Sequence, residues 1–339
     1  MNPVEALREI GFLLERSRAD TYRVRAYRSA AEAISRLSDG ERRDHQEQGT
    51  WGKVAGVGPK TAVVIGQAMS GQVPEYLQKL RGERRPLIEG GEGMRAALKG
   101  DLHCHSTWSD GGSPLEEMMI TARELGHEYC AITDHSPRLT VARGLSADRL
   151  REQMGVVDHL NEAMAPFRIL QGIEVDILED GGLDQDQSLL GELDVVVSSV
   201  HSKLRSDSET MTHRMVAGIA NPRTNVLGHC TGRLIEGERG LRPQSVFDPE
   251  VVFEACRTMN VAVEINSRPE RRDPPTRLLS LAMEMGCLFS IDTDAHAPGQ
   301  LEFLAYGCER AEILGVDPER VINTWPLDRL LAWCKKSEG

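Results

Sequence analysis

The sequence predicts an α/β chain in two parts. Residues 99–339 read as a parallel strand–helix barrel and residues 1–82 as a small all-helical unit. Three observations carry this. After Lys99, seven short apolar runs of strand length recur, each followed by a segment of helical pattern or length. Before it, only helical periodicity is found. Between the two, residues 83–98 carry Arg84-Arg85 and then Gly90, Gly91 and Gly93 without a sustained apolar period, and read as a linker.

The first helix opens at Asn2-Pro3, a cap with proline in the first turn, and repeats Leu7, Ile10 and Leu14 on one face. A second begins near Tyr22-Arg23 and collects Ala26, Tyr27, Ala30, Ala31, Ile34 and Leu37. Residues 38–49 are polar and aperiodic and read as a loop. A turn containing Gly56-Val57-Gly58 leads into a short apolar helix, and another helix follows around Val73 to Leu80. The strand runs lie near 100–104, 129–133, 167–174, 194–200, 224–228, 261–265 and 287–291, with helical segments such as 114–125, 147–163 and 247–258. Such alternation builds a parallel barrel, whose active site forms where the strands end.

With 339 residues the chain has material for one large domain and a small one. No apolar stretch approaches the roughly 20 residues of a membrane span. Met1 to Ile10 mixes charged and apolar residues, unlike a signal peptide or an anchor. The seven cysteines are scattered without a C-x-x-C pair, which points to reduced thiols and a cytoplasmic protein. The net charge of −12 is uneven: residues 1–99 carry a balance of +4 and the remainder −16. Separate tasks for the two parts follow from that asymmetry.

Nine residues stand at or just after the strand runs: His103, His105, Asp110, His135, Glu174, His201, His229, Asp294 and His296. They include six of the ten histidines. Imidazole and carboxylate hold divalent transition metals, and nine are too many for one tetrahedral ion. Two or three ions (zinc, manganese or iron) suit the set. Alternate residues of a strand point the same way, so His103 pairs with His105, Cys104 faces the other side, and the same parity links Asp294 and His296. The sixth run supplies none of the nine, ending in Glu264-Ile265-Asn266-Ser267-Arg268. Asp134 reads as a partner orienting an imidazole. His45, His127, His159 and His213 read as non-ligands.

Asp101-Leu102-His103-Cys104-His105-Ser106, Thr133-Asp134-His135-Ser136, Gly172-Ile173-Glu174, Ser199-Val200-His201, Gly228-His229 and Asp294-Ala295-His296 together resemble the PHP (polymerase and histidinol phosphatase) family over residues 100–300. The resemblance implies a distorted (β/α)7 barrel, a trinuclear metal centre and phosphoester hydrolysis. It implies that His103, His105, Glu174 and Asp294 hold one ion, and that Glu174 bridges to a second held by His201 and His229. The third falls to Asp110, His135 and His296. Aspartate at position 110 resembles the barrels attached to bacterial family X DNA polymerases. Residues 2–37, notably Tyr22 to Ala31, are similar to the opening helices of those polymerases, and the Gly56-Val57-Gly58 segment resembles a helix-hairpin-helix. Gly56, Gly58 and Lys60 are then expected to contact DNA phosphate. No room remains between the helical unit and residue 99 for a palm and fingers, so polymerase activity is not expected. The position of the lyase lysine falls on Val64, so lyase chemistry is not expected either.

The expected catalytic set is Glu174, Asp294, His201 and Arg268. Lys203, Arg138 and Arg233 are further candidates to meet phosphate charge. The function that follows is a metal-dependent phosphoesterase acting on DNA, as a 3′-end-trimming nuclease or phosphodiesterase of DNA repair. Two alternatives stand beside it: a small-molecule phosphatase resembling histidinol-phosphate phosphatase, and a non-catalytic DNA-binding protein with structural metals. Aromatic content of 4% offers few stacking platforms for single strands. Protein partners are not legible.

Overall fold

A computed structural model describes residues 1–237 and 240–335. It divides the chain into two compact units, Met1–Pro86 with Ala297–Gln300, and Leu87–His296 with Leu301 onward.

The first unit is helical: α1 (Pro3–Arg16), α2 (Thr21–Ser35), α3 (Asp39–Gln48), α4 (Pro59–Met69) and α5 (Glu75–Glu83). Asn2 and Asp20 cap α1 and α2 through their side chains. Leu7, Ile10, Leu14, Ala30, Ile34, Ile65 and Leu77 form the core. One expectation fails: residues 39–48 are α3, not a loop. The helix buries no residue, so it has no apolar stripe to betray it. It is defined by its ends, a Ser38/Glu41 capping box and Gly49 at φ 64°.

The second unit begins with α6 (Glu92–Ala97), inside the stretch read as linker. Two turns with only Met94 buried leave no periodic signal in the sequence. Seven strands follow: β1 (Gly100–Asp101), β2 (Tyr129–Ile132), β3 (Arg168–Asp176), β4 (Val195–Ser199), β5 (Val226–Leu227), β6 (Ala262–Asn266) and β7 (Phe289–Asp292). They lie in sequential order and every pair is parallel. Helices alternate with them: α7 (Leu115–Glu124), α8 (Ala147–Met164), α9 (Gln187–Glu192), α10 (Ser208–Ala220), α11 (Pro249–Thr258), α12 (Thr276–Glu284), α13 (Leu304–Leu314) and, last, α14 (Leu327–Cys334). The expected seven-stranded parallel barrel is present.

β3 is long because it serves two neighbours in succession. Residues 168–171 pair with β2 and residues 172–176 with β4. The change of partner falls at Gly172, where a Cβ would come within 2.9 Å of the Ile132 carbonyl and 3.0 Å of the Val195 carbonyl. The seam between β1 and β7 is closed by side chains. Asn323 donates to the Gly100 and Ile291 carbonyls, Asp292 accepts from Leu102 N at 2.8 Å, and Thr293 Oγ1 bonds Asp101. Tyr129, Ala131, Leu170, Val195, Val197, Val226 and Ala262 form one apolar layer with Ile322, Trp325 and Leu330. Alternate residues such as Ile173, Val196, Val263 and Ile265 pack with the helices instead. Extending the parity of Leu170 and Ala262 along β3 and β6 reaches Glu174 and Glu264, so both carboxylates belong to the inner face.

Candidate metal centre

All nine expected ligands meet at the C-terminal ends of the strands. β1 stops at Asp101, and the chain continues through His103 and His105, bridged in parallel at Cys104 to Ala295. Cys104 turns away into a cluster with Met118, Met119 and Cys130, as parity requires. Glu174 is the hub. Its Oε1 lies 2.8 Å from His229 Nε2 and 3.1 Å from His201 Nε2. Its Oε2 lies 2.9 Å from His135 Nδ1, 3.4 Å from His103 Nε2 and 3.5 Å from His105 Nε2.

The donor atoms fall into four overlapping groups, each within 4.8 Å: His103, His105 and Asp294; His103, Glu174 and His229; His135, Glu174 and His201; and His105, Asp110, His135 and His296. His105 therefore stands with the Asp110 group as well as beside His103. Asp294 and His296 join different groups, so strand parity does not govern them. β7 has ended at Asp292, and Asp294 takes φ 52°, a left-handed conformation that costs a non-glycine residue energy. None of His45, His127, His159 and His213 enters a group among the described residues.

The residues fit a metal. His103 Nε2, both nitrogens of His105 and His201, His229 Nδ1 and Glu174 Oε2 are buried without a hydrogen-bond partner. Unpaired buried polar atoms are costly, and a metal would meet those that face the centre. Charge tells the same story. Burial would raise the Glu174 carboxyl, but His201, His135 and His103 outweigh it and hold it well below the usual carboxylate range. Burial also opposes ionisation of Asp294, yet Arg268, the His105 contact and Arg271 hold it low as well. His105 is pushed down to about 3 by burial and by His296 and His135, so its imidazole is neutral and able to ligate.

A supporting layer surrounds these groups. Asp176 Oδ1 accepts from the His201 amide at 3.0 Å and lies 3.4 Å from its Nδ1. Glu264, on the strand that offered no ligand, lies 2.6 Å from His103 Nδ1. Arg271 Nε donates to Asp294 Oδ2 at 3.0 Å. The sequence reading passed over all three. The alternation rule placed Glu264 on the inner face and could have found it.

Asp134 departs from the expectation of a partner that orients an imidazole: its carboxylate is taken up by Ser106, Ser109 and Gln153. It accepts from the amides of Ser106 and Ser109, from both hydroxyls and from Gln153 Nε2. It thereby ties down the loop that presents Asp110. Arg268 is half-buried beside the centre, its Nη1 3.1 Å from His296 Nδ1 and 3.5 Å from Asp294 Oδ1. Arg233 is occupied elsewhere, donating to the Arg271 and Arg272 carbonyls. Lys203 and Arg138 are exposed.

In the helical unit, Gly56 takes φ 89° and Gly58 caps α4. The Gly58 amide donates to Thr61 Oγ1 at 2.9 Å, so it is engaged within the turn. Lys60 is exposed, while Val64 is buried in the helical core. Beside the α4 N-terminus lies a groove of about 860 Å³ lined by Tyr22, Arg23, Tyr27, Lys60, Gln67 and Tyr76. Tyr27 and Tyr76 stack at 5.7 Å, Arg23 sits 5.4 Å from the Tyr76 ring centre, and Tyr22 is 85% exposed. The low overall aromatic content hid this concentration.

Residues 101–267 match the PHP domain model. The barrel is a PHP domain. Residues 2–72 match a helix-hairpin-helix domain model. Among relatives, the DNA polymerase/3′-5′ exonuclease PolX of Bacillus subtilis is 38% identical over 252 residues, covering 74% of this chain and 43% of that protein. The chain thus spans under half the length of that relative. A probable phosphatase of Caldicellulosiruptor saccharolyticus is 27% identical over 208 residues, covering 59% of this chain and 80% of that one. A solved histidinol phosphate phosphatase of Lactococcus lactis, complexed with zinc, L-histidinol and phosphate, covers 64% of this chain and 92% of its own at 16% identity and a TM-score of 0.45. The PHP domain and its donor set are those of metal-dependent phosphoesterases, with divalent metals as cofactors. No described helix is long and apolar enough to cross a membrane.

Proposed function

We propose that this chain hydrolyses phosphoester bonds in DNA, trimming strand ends, with a centre of two or three divalent ions. The observation that carries the DNA reading is the groove of the helical unit. Three of the chain's five tyrosines line it, together with Arg23 and Lys60 at the N-terminus of α4. Aromatic faces stack on bases, and cations beside a helix N-terminus meet phosphate.

His103, His105 and Asp294 would hold one ion and Asp110, His135 and His296 another, while Glu174, shared by the group of His103 and His229 and the group of His135 and His201, would serve a further ion with His201 and His229. When bound, such ions lower the pKa of water and neutralise phosphate charge. The chain's own groups do the rest. Glu174 and Asp294 stay ionised at neutral pH. Asp176 holds the His201 backbone and Glu264 orients the His103 imidazole. Arg268 is placed to meet a phosphate oxygen at the margin of the centre.

A second reading, hydrolysis of a small phosphate ester, is favoured by the extent of the match to the probable phosphatase. One comparison separates the two. Cleavage of a 3′-labelled single strand, an abasic duplex and histidinol phosphate is followed for the full chain and for Arg23→Ala/Lys60→Ala. Loss of cleavage of DNA alone in the double variant is expected. Turnover of histidinol phosphate only, equal in both proteins, overturns the DNA reading. Activity that persists after exhaustive chelation overturns the metal reading.

A further inference from the structure

The strand that contributes no ligand contributes the residue that ties two ligands together. Glu264 is fully buried on β6 and uses both carboxylate oxygens. Oε1 lies 2.6 Å from His103 Nδ1, and Oε2 accepts from the backbone N–H of His229 at 2.5 Å. Asn266, two residues on along the same face, donates its Nδ2 to Glu264 Oε2 at 3.2 Å and to Asp294 Oδ2 at 3.3 Å.

Two consequences follow from these contacts. A carboxylate at Nδ1 fixes the proton there, leaving Nε2 as the coordinating nitrogen of His103. That Nε2 is the atom buried without a hydrogen-bond partner, 3.4 Å from Glu174 Oε2. The second contact fixes the peptide of His229, whose ring joins His103 and Glu174 in one donor group. The same carboxylate therefore holds an imidazole from beyond β1 and a backbone from beyond β5.

We propose that Glu264 is the positioning residue of this centre, setting the tautomer of His103 and the spacing of His103 and His229, so that two adjacent ions bind with mutual support. The inference rests on the metal reading above. Removing the carboxylate weakens both positions, because one side chain braces a ligand of each.

The test is a titration of the chelator-stripped full chain with Co²⁺ and with Zn²⁺, for wild type and Glu264→Gln. Bound metal per chain, affinity by chelator competition, and the Co²⁺ visible spectrum are read, along with the Tm of the stripped proteins. The expected result is a folded protein with a cooperative Tm, affinity lower by roughly 10–100-fold, and an altered Co²⁺ spectrum. Wild-type affinity and spectrum in Glu264→Gln overturn the proposal, while metal binding by wild type leaves the metal centre standing. A wild type that binds neither ion removes both readings. Should Glu264→Gln not fold, Glu264→Asp replaces it; its shorter side chain cannot reach both partners, and the same weakening is expected, with wild-type affinity again refuting.

Discussion

Arg271 Nε donates to Asp294 Oδ2 at 3.0 Å, and both residues are buried. Asp294 adopts φ 52°, so its carboxylate is aimed by a strained backbone and held by that guanidinium together with Asn266 and Arg268. Before any ion arrives, Arg271 supplies part of the positive charge that keeps Asp294 ionised. Arg271→Gln removes it. In chelator, the variant is expected to lose about 3–5 kcal/mol of unfolding free energy, the scale of breaking a buried pair. Adding Mn²⁺ should narrow the gap, because the ion takes over the neutralising role. Urea unfolding with and without Mn²⁺ checks this; a gap that is absent, or unaltered by metal, refutes it.

Glu174 sits within 3.5 Å of a ring nitrogen from each of five histidines. In Glu174→Ala two donor groups lose a shared member. Phosphoester turnover is expected to fall by about 100-fold or more, with fewer ions retained per chain. Steady-state rates and metal analysis on the same preparation decide it. Near-normal turnover would refute the bridging role.

How much of this was legible depends on whether burial imposed a pattern. The strands were readable because burial makes them short apolar runs, and the nine candidate ligands because each stands at or after such a run. α3 was not, since it buries nothing and only Ser38, Glu41 and Gly49 mark its limits. Asp134 was visible, but its partners were not: the sequence places it next to His135, whereas folding brings it against Ser106, Ser109 and Gln153. Arg271 was hidden for a similar reason, being 23 residues from the carboxylate it holds. The tyrosine groove depends on α2 and α5 meeting near the start of α4, which composition cannot express.

Asp134→Asn tests the loop that carries Asp110. An amide in place of the carboxylate keeps one acceptor oxygen where two had shared the bonds from Ser106, Ser109 and Gln153. The expected loss is about 1–3 kcal/mol of stability in chelator, for one buried donor left unpaired. Weaker binding of the ion expected at Asp110, His135 and His296 should accompany it. Chelator competition with Zn²⁺ measures the second effect. Unchanged affinity for every ion would show that the loop holds Asp110 without Asp134.

His127 gives a pH signature away from the metal. It is 5% exposed, with Nε2 3.1 Å from the Arg95 guanidinium, and burial and then Arg95 push it down to about 3 from 6.5. The native imidazole is therefore neutral over a range in which the unfolded one takes up a proton. Above about pH 6.5 it adds no pH dependence. As pH falls from 6.5 toward 3, the unfolded state binds the extra proton, and stability drops by up to about 1.4 kcal/mol per pH unit. His127→Gln abolishes this contribution, so the wild type should lose its advantage over the variant as the pH is lowered from 7 to 5. Denaturant unfolding of the two metal-free proteins at both values measures the difference; stability curves that stay parallel would show that His127 is protonated in the native barrel.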